Sequence, residues 1–217
     1  MIYKNTVHEK SNQGLDVFRN VLSTGNAKPQ KLVWIFHGYG ASGDDVIGLA
    51  SQWPQDHYFY MAPHGIEPCG SNHAYQWFSL EDTTDPQPCQ NAADTVCNEG
   101  ESLLKTFGLT WSDVIVVGFS QGGALALELG LYHRPVRAVM VYAGFLMHTR
   151  PVVYRPRSFW AHGQEDEVVP YQKGLTDQQF FQDQKIPLEI HNYEKLGHNI
   201  HYEAVKAGET FLTNLDM

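Results

Sequence analysis

The sequence predicts an α/β domain: a mostly parallel central sheet with helices on both faces, formed by residues 1–217 as a single domain. Two observations carry the prediction. Apolar runs of strand length recur between segments of helical character, the pattern of strands joined by crossover helices. One such run, Asp113 to Gly118, leads straight into Phe119-Ser120-Gln121-Gly122-Gly123 and then into Ala124, Leu125, Leu127, Glu128 and Leu129, residues of high helix propensity. The chain therefore passes from strand to helix through a very tight turn.

Taken in order, Ile2 to His8 and Leu15 to Leu22 are two weak β-like stretches around Ser11-Asn12-Gln13-Gly14, readable as an antiparallel hairpin on the sheet edge. Lys31 to Phe36 is a buried strand ending in the turn His37-Gly38-Tyr39-Gly40. His57 to Ala62 is the next strand, closed by Pro63. Between Pro63 and Ala92 lies a tract rich in Pro, Gly, Cys and Asn with one aromatic core, Tyr75-Gln76-Trp77-Phe78. It is too long for a plain connector and reads as a functional loop or small lid. Strands follow at Asp113 to Gly118, Val136 to Tyr142, Arg157 to Ala161 and Leu188 to Tyr193, with helices at Tyr171 to Gln184 and His201 to Asn214.

Composition limits the functions. With 24 acidic and 15 basic side chains the formal charge is −9, and 42% of the residues are apolar. A chain of this size buries about 70% of the surface its unfolded form exposes, and its low charge density excludes disorder as the main description. The acidity, with no basic patch, argues against a nucleic-acid partner. The apolar stretches are of strand length, far below the roughly 20 residues of a membrane span, so no stable membrane insertion is expected. The polar N-terminal stretch offers no secretory core. Cys69, Cys89 and Cys97 are odd in number and follow no metal-ligand spacing. Free thiols in a reducing cytoplasm fit them best, with a Cys69–Cys89 bridge as the alternative for an exported protein.

The strongest local signal is Gly118-Phe119-Ser120-Gln121-Gly122, a G-x-S-x-G motif between a strand and a helix. A nucleophile on such a turn needs small neighbours, which the two glycines supply. The competing readings are an inert Gly/Ser turn and a phosphate-binding loop; the latter fails because no Gly-Lys-Ser/Thr follows. A serine hydroxyl needs a histidine base and an orienting acid, in the chain order Ser, Asp/Glu, His. The acids that meet this order near a strand end are Glu165, Asp166 and Glu167, although alone they would read as a solvated acidic turn. His198 follows the strand Leu188 to Tyr193 in a loop. His201 competes with it but falls at the final helix, and His162 and His191 do not satisfy the order. Two backbone amides are expected to hold a developing oxyanion: Gln121, just after the serine, and a residue of His37-Gly38-Tyr39-Gly40. The chemistry calls for no cofactor and no metal.

Six separated motifs in one order resemble the phospholipase/carboxylesterase family of small α/β-hydrolases, which includes the acyl-protein thioesterases. They are Phe36-His37-Gly38-Tyr39-Gly40-Ala41-Ser42-Gly43-Asp44-Asp45, Ala62-Pro63-His64-Gly65, Gln76-Trp77-Phe78, Gly118-Phe119-Ser120-Gln121-Gly122-Gly123, His162-Gly163-Gln164-Glu165-Asp166-Glu167-Val168-Val169-Pro170 and Gly197-His198. The first of these and the Trp-Phe-Ser-Leu loop look like bacterial members. The resemblance implies an α/β-hydrolase fold without a large lid domain, and a catalytic triad of Ser120, Asp166 and His198. It implies oxyanion amides from Tyr39 and Gln121, and an acyl pocket bordered by Trp77, Phe78, Val169, Leu146 and Ile200. The expected activity is serine carboxylesterase action on short- to medium-chain esters, with a small-molecule ester or thioester as substrate. Lysophospholipase and acyl-protein thioesterase activity are variants of the same chemistry, and a non-catalytic ligand-binding protein on the same fold is the contrasting reading. A homodimer is compatible with the sequence.

Overall fold

The computed structural model describes residues 3–10, 16–23, 30–70, 73–215 and 217. In chain order the strands begin with β1 (Tyr3–Lys10) and β2 (Asp16–Ser23), which pair antiparallel along their full lengths, as expected of the edge hairpin. Its turn, Ser11 to Gly14, lies outside the described residues. Next come β3 (Lys31–Phe36), the short helix α1 (Gly43–Val46) with a following 3₁₀ segment, and β4 (Tyr58–Ala62). The miniature hairpin β5 (Glu67–Pro68) and β6 (Tyr75–Gln76) precedes helix α2 (Gln87–Phe107). The second half holds β7 (Val114–Phe119), α3 (Gln121–Glu128), β8 (Ala138–Tyr142), β9 (Arg157–Gly163), α4 (Tyr171–Asp183), β10 (Leu188–Tyr193) and α5 (Tyr202–Asn214).

The main sheet runs β1-β2-β4-β3-β7-β8-β9-β10. From β4 to β10 every neighbouring pair is parallel, and only β2, antiparallel to both β1 and β4, runs against the rest. Parallel strands covered on both faces must be apolar on both faces, and their side chains alternate accordingly. On one side Leu32, Trp34, Phe36, Val114, Val116, Val139, Val141 and Trp160 pack beneath α2, α3 and α4. On the other, Val33, Ile35, Ile115, Val117, Met140, Tyr142 and Phe159 pack against α1 and α5. Full burial of each such side chain is worth about 1.5–3 kcal/mol.

Helix α2 is the element the loop reading of residues 63–92 runs into: the tract's last residues are already its first turns. Cys89, Ala92, Ala93, Val96, Cys97, Gly100, Leu103 and Leu104 form its buried stripe at helical spacing, and Gly108 closes it in a left-handed conformation at φ 67°. All three cysteines are free. Burial pushes the Cys89 thiol well above its ordinary value and Cys97 up to about 12. Among the described residues no helix is long and apolar enough to cross a membrane.

Candidate active site

The C-terminal ends of β3, β7, β9 and β10 all open toward one edge of the sheet, where loops gather the polar side chains. At the end of β7, Ser120 has φ 55° and ψ −117°, a costly conformation for a residue with a Cβ. The flanking glycines make it attainable. A Cβ on Gly118 would stand 2.1 Å from the Gly122 carbonyl oxygen, and one on Gly122 would stand 2.2 Å from the Phe36 carbonyl oxygen. The Ser120 N–H donates to the Tyr142 carbonyl (3.0 Å), tying the turn to β8.

His198 lies in the loop between β10 and α5, its ring packed on Phe119 at 4.9 Å. Its Nε2 is 2.9 Å from Ser120 Oγ and its Nδ1 is 2.8 Å from Asp166 Oδ2. A carboxylate can only accept, so Nδ1 carries the proton and Nε2 accepts from the serine hydroxyl. Asp166, in the loop after β9, is buried, and its Oδ1 accepts the N–H groups of Val168 (2.9 Å) and Val169 (2.8 Å). The other candidates are engaged elsewhere. His201 stands at the N-cap position of α5 with its ring against Tyr193 and its Nε2 3.3 Å from Glu203 Oε2, and His191 pairs with Glu189. His162 Nε2 donates to the Val169 carbonyl (2.9 Å) and braces the acid loop.

The serine opens into a cavity of about 490 Å³ lined by Gly38, Tyr39, Leu80, Thr83, Phe119, Ser120, Gln121, Phe145, Val168, Val169, Pro170, Lys173 and His198. That size suits a small organic ligand, and the lining is largely apolar. Lys173 brings no free charge to it, because its ammonium is closed on both oxygens of Asp177 (2.5 and 2.6 Å) and on the Leu146 carbonyl (2.9 Å).

Of the five residues expected around an acyl pocket, Val169 lines this cavity and four do not. Trp77 and Phe78 are buried in the core, Trp77 packing edge-on against Phe36 at 5.1 Å with its indole N–H on the His37 carbonyl (2.8 Å). Leu146 is turned inward, its N–H bonded to Asp177 Oδ2 (2.8 Å), and the preceding Phe145 takes the wall. Ile200 packs with the α5-side core. Leu80, Thr83, Phe145, Val168, Pro170 and Lys173 were not singled out from the sequence. The apolar run Val168-Val169-Pro170 directly after the acid loop was the one signal that could have found part of this wall.

A sequence model of the family described as phospholipase/carboxylesterase matches residues 19–215. The chain belongs to that family. Among its relatives is a protein named probable carboxylesterase from Oryza sativa subsp. japonica, 26% identical over 216 residues that cover 89% of this chain and 80% of the relative. Another is acyl-protein thioesterase 1 of Mycosarcoma maydis, 27% identical over 218 residues that cover 85% of this chain and 91% of the relative. The crystal structure of esterase PE8 superposes with a TM-score of 0.84 at 28% identity, over 92% of this chain and 99% of that one. The phospholipase/carboxylesterase chain thus has an α/β-hydrolase fold and is a hydrolase of that family, with His37 to Gly40, Ser120, Asp166 and His198 gathered at the C-terminal edge of its sheet.

Proposed function

We propose that this chain is a serine carboxylesterase that hydrolyses short- to medium-chain carboxylic esters through an acyl-enzyme intermediate. The observation that carries the reading is the continuous hydrogen-bonded relay from Ser120 Oγ through His198 to Asp166, opening into a mainly apolar cavity. His198 Nε2 takes the hydroxyl proton as Ser120 Oγ attacks the ester carbonyl carbon, and the carbonyl π electrons move onto oxygen. The backbone amides of Tyr39 and Gln121 hold that oxyanion; Gln121 is the first residue of α3, where the helix dipole favours negative charge. The tetrahedral intermediate collapses, the ester C–O bond breaks, and the imidazolium gives its proton to the leaving alcohol. Water, deprotonated by the same imidazole, then releases the acid and restores Ser120. Asp166 stays ionised and keeps His198 in the required tautomer.

A thioester or lysophospholipid would react by the same steps, and the thioesterase relative keeps that variant in view. The apolar wall of Leu80, Phe145, Val168 and Val169 supports an acyl chain, and the closed Lys173–Asp177 pair gives no counter-ion for an acidic acyl group. The three free thiols support a cytoplasmic location. The test is hydrolysis of p-nitrophenyl esters by the wild type and by Ser120→Ala, both confirmed folded. Turnover that vanishes in the variant is expected, and turnover retained by it would remove the assignment. Wild type that binds an apolar ester without hydrolysing it would favour the ligand-binding reading.

A further inference from the structure

The side chain of Gln121 is buried to 1% exposure and takes no part in the relay. Its amide is spent on two backbone groups more than 40 residues away. Oε1 accepts the Trp77 N–H (3.0 Å) and Nε2 donates to the Phe78 carbonyl (2.7 Å). The same tract, residues 75–78, is laced to the loop after β3. Gly40 N–H donates to the Tyr75 carbonyl and Tyr75 N–H to the Ala41 carbonyl, both at 2.9 Å. The Trp77 indole N–H donates to the His37 carbonyl (2.8 Å), and the Tyr75 ring stacks on His64 at 4.7 Å. One short segment therefore grips residues 37–41 with one side and the first residue of α3 with the other.

We propose that Gln121 is a positioning residue: its side-chain amide, closed on Trp77 and Phe78, sets the separation between the two backbone donors that receive the oxyanion. The inference rests on the esterase reading above. Backbone donors help only when aimed at the place where charge develops, and they lie here on two loops far apart in sequence. A buried amide with both functions satisfied by backbone holds a distance far more sharply than apolar contact does. Trp77 completes the clamp from the opposite loop, which explains why the aromatic tract is drawn into the core rather than left on the cavity wall.

The test uses Gln121→Met, which keeps the unbranched length and removes the amide, and Trp77→Phe, which keeps an aromatic ring and removes the indole N–H. Each is compared with wild type in p-nitrophenyl acetate hydrolysis per titrated Ser120, in thermal midpoint, and in inhibition by a phenylboronic acid whose tetrahedral adduct places an oxygen between the donors. Misplacing a reacting geometry by about 1 Å costs on the order of 10²-fold. We expect kcat to fall by roughly 10- to 100-fold, with KM within about twofold of wild type, and boronate affinity to fall in parallel. The double variant should lose less than the product of the single losses, since both act on one separation. If Gln121→Met does not fold, Trp77→Phe is judged by the same criteria. Unchanged kcat and boronate affinity, with or without a lower thermal midpoint, would overturn the clamp while leaving the esterase intact. A folded wild type that hydrolyses no ester would overturn both.

Discussion

The Asp166 carboxylate divides its two oxygens between backbone and imidazole: Oδ1 takes the N–H groups of Val168 and Val169, and Oδ2 meets His198 Nδ1 at 2.8 Å. The acid loop thus locks its own side chain before the histidine arrives. The same two valines line the cavity, so the carboxylate that meets the imidazole and one wall of the cavity are parts of one turn.

Asp166→Asn separates orientation from charge. An asparagine preserves the size but can present an N–H to Nδ1, which favours the wrong tautomer. Activity should fall on the order of 10³- to 10⁴-fold with little change in KM. Steady-state kinetics on a p-nitrophenyl ester checks this, and a loss below tenfold would show that the carboxylate does not orient His198.

The wall supplied by Phe145 should set acyl length. Phe145→Ala enlarges the cavity and should shift preference toward longer chains, raising the octanoyl-to-acetyl ratio of kcat/KM by about tenfold, the low end of what one methylene is worth in an apolar pocket. A chain-length series of p-nitrophenyl esters reads the ratio directly, and an unchanged ratio would place the acyl chain elsewhere.

His37 makes stability depend on pH. It is fully buried, its Nδ1–H donates to the Gly38 carbonyl (2.7 Å), and burial lowers its pKa to about 4 from an ordinary 6.5. Between those values the unfolded chain binds a proton that the folded chain refuses. Stability from this group is therefore undiminished above pH 6.5 and falls as pH drops toward 4, by about 3 kcal/mol in all. His37→Asn, which keeps a donor near Nδ1 and cannot titrate, should flatten the fall in urea-unfolding free energy between pH 6.5 and 4.5. An equal slope in both proteins would contradict it.

Gly122→Ala tests the turn itself. The added methyl would meet the Phe36 and His37 carbonyl oxygens at 2.2 and 2.5 Å, both backbone atoms that cannot swing aside. A loss of about 1–3 kcal/mol in stability, typical of overpacking, should accompany a larger fractional loss of activity as Ser120 shifts. Wild-type stability and activity together would mean that the turn relaxes freely.

How much of this was visible in the sequence differs from residue to residue. Ser120, Asp166 and His198 stand at strand ends, and strands buried on both faces announce themselves by continuous apolar runs, so their approach to one edge could be read along the chain. Most of α2 was missed although its stripe of Ala92, Ala93, Val96, Cys97, Gly100, Leu103 and Leu104 has helical spacing, because Pro86, Pro88, Gln90 and Asn91 give its start the composition of a loop. Trp77 and Phe78 looked like pocket wall because local sequence shows aromatic character but not its partner. Their partners are distant in the chain: the Gln121 side chain, 44 and 43 residues away, takes their backbone, and the His37 carbonyl takes the Trp77 indole N–H. Lys173 reads as an exposed helix charge until Asp177, one turn on, and the Leu146 carbonyl close around it.

Whether Ser120 is the nucleophile is read most directly by intact-mass analysis of the folded protein after treatment with a fluorophosphonate, followed by peptide mapping. One adduct per chain is expected, carried by the peptide containing Ser120 and absent from Ser120→Ala. An adduct on any other residue, or no adduct on a protein that hydrolyses esters, would contradict it.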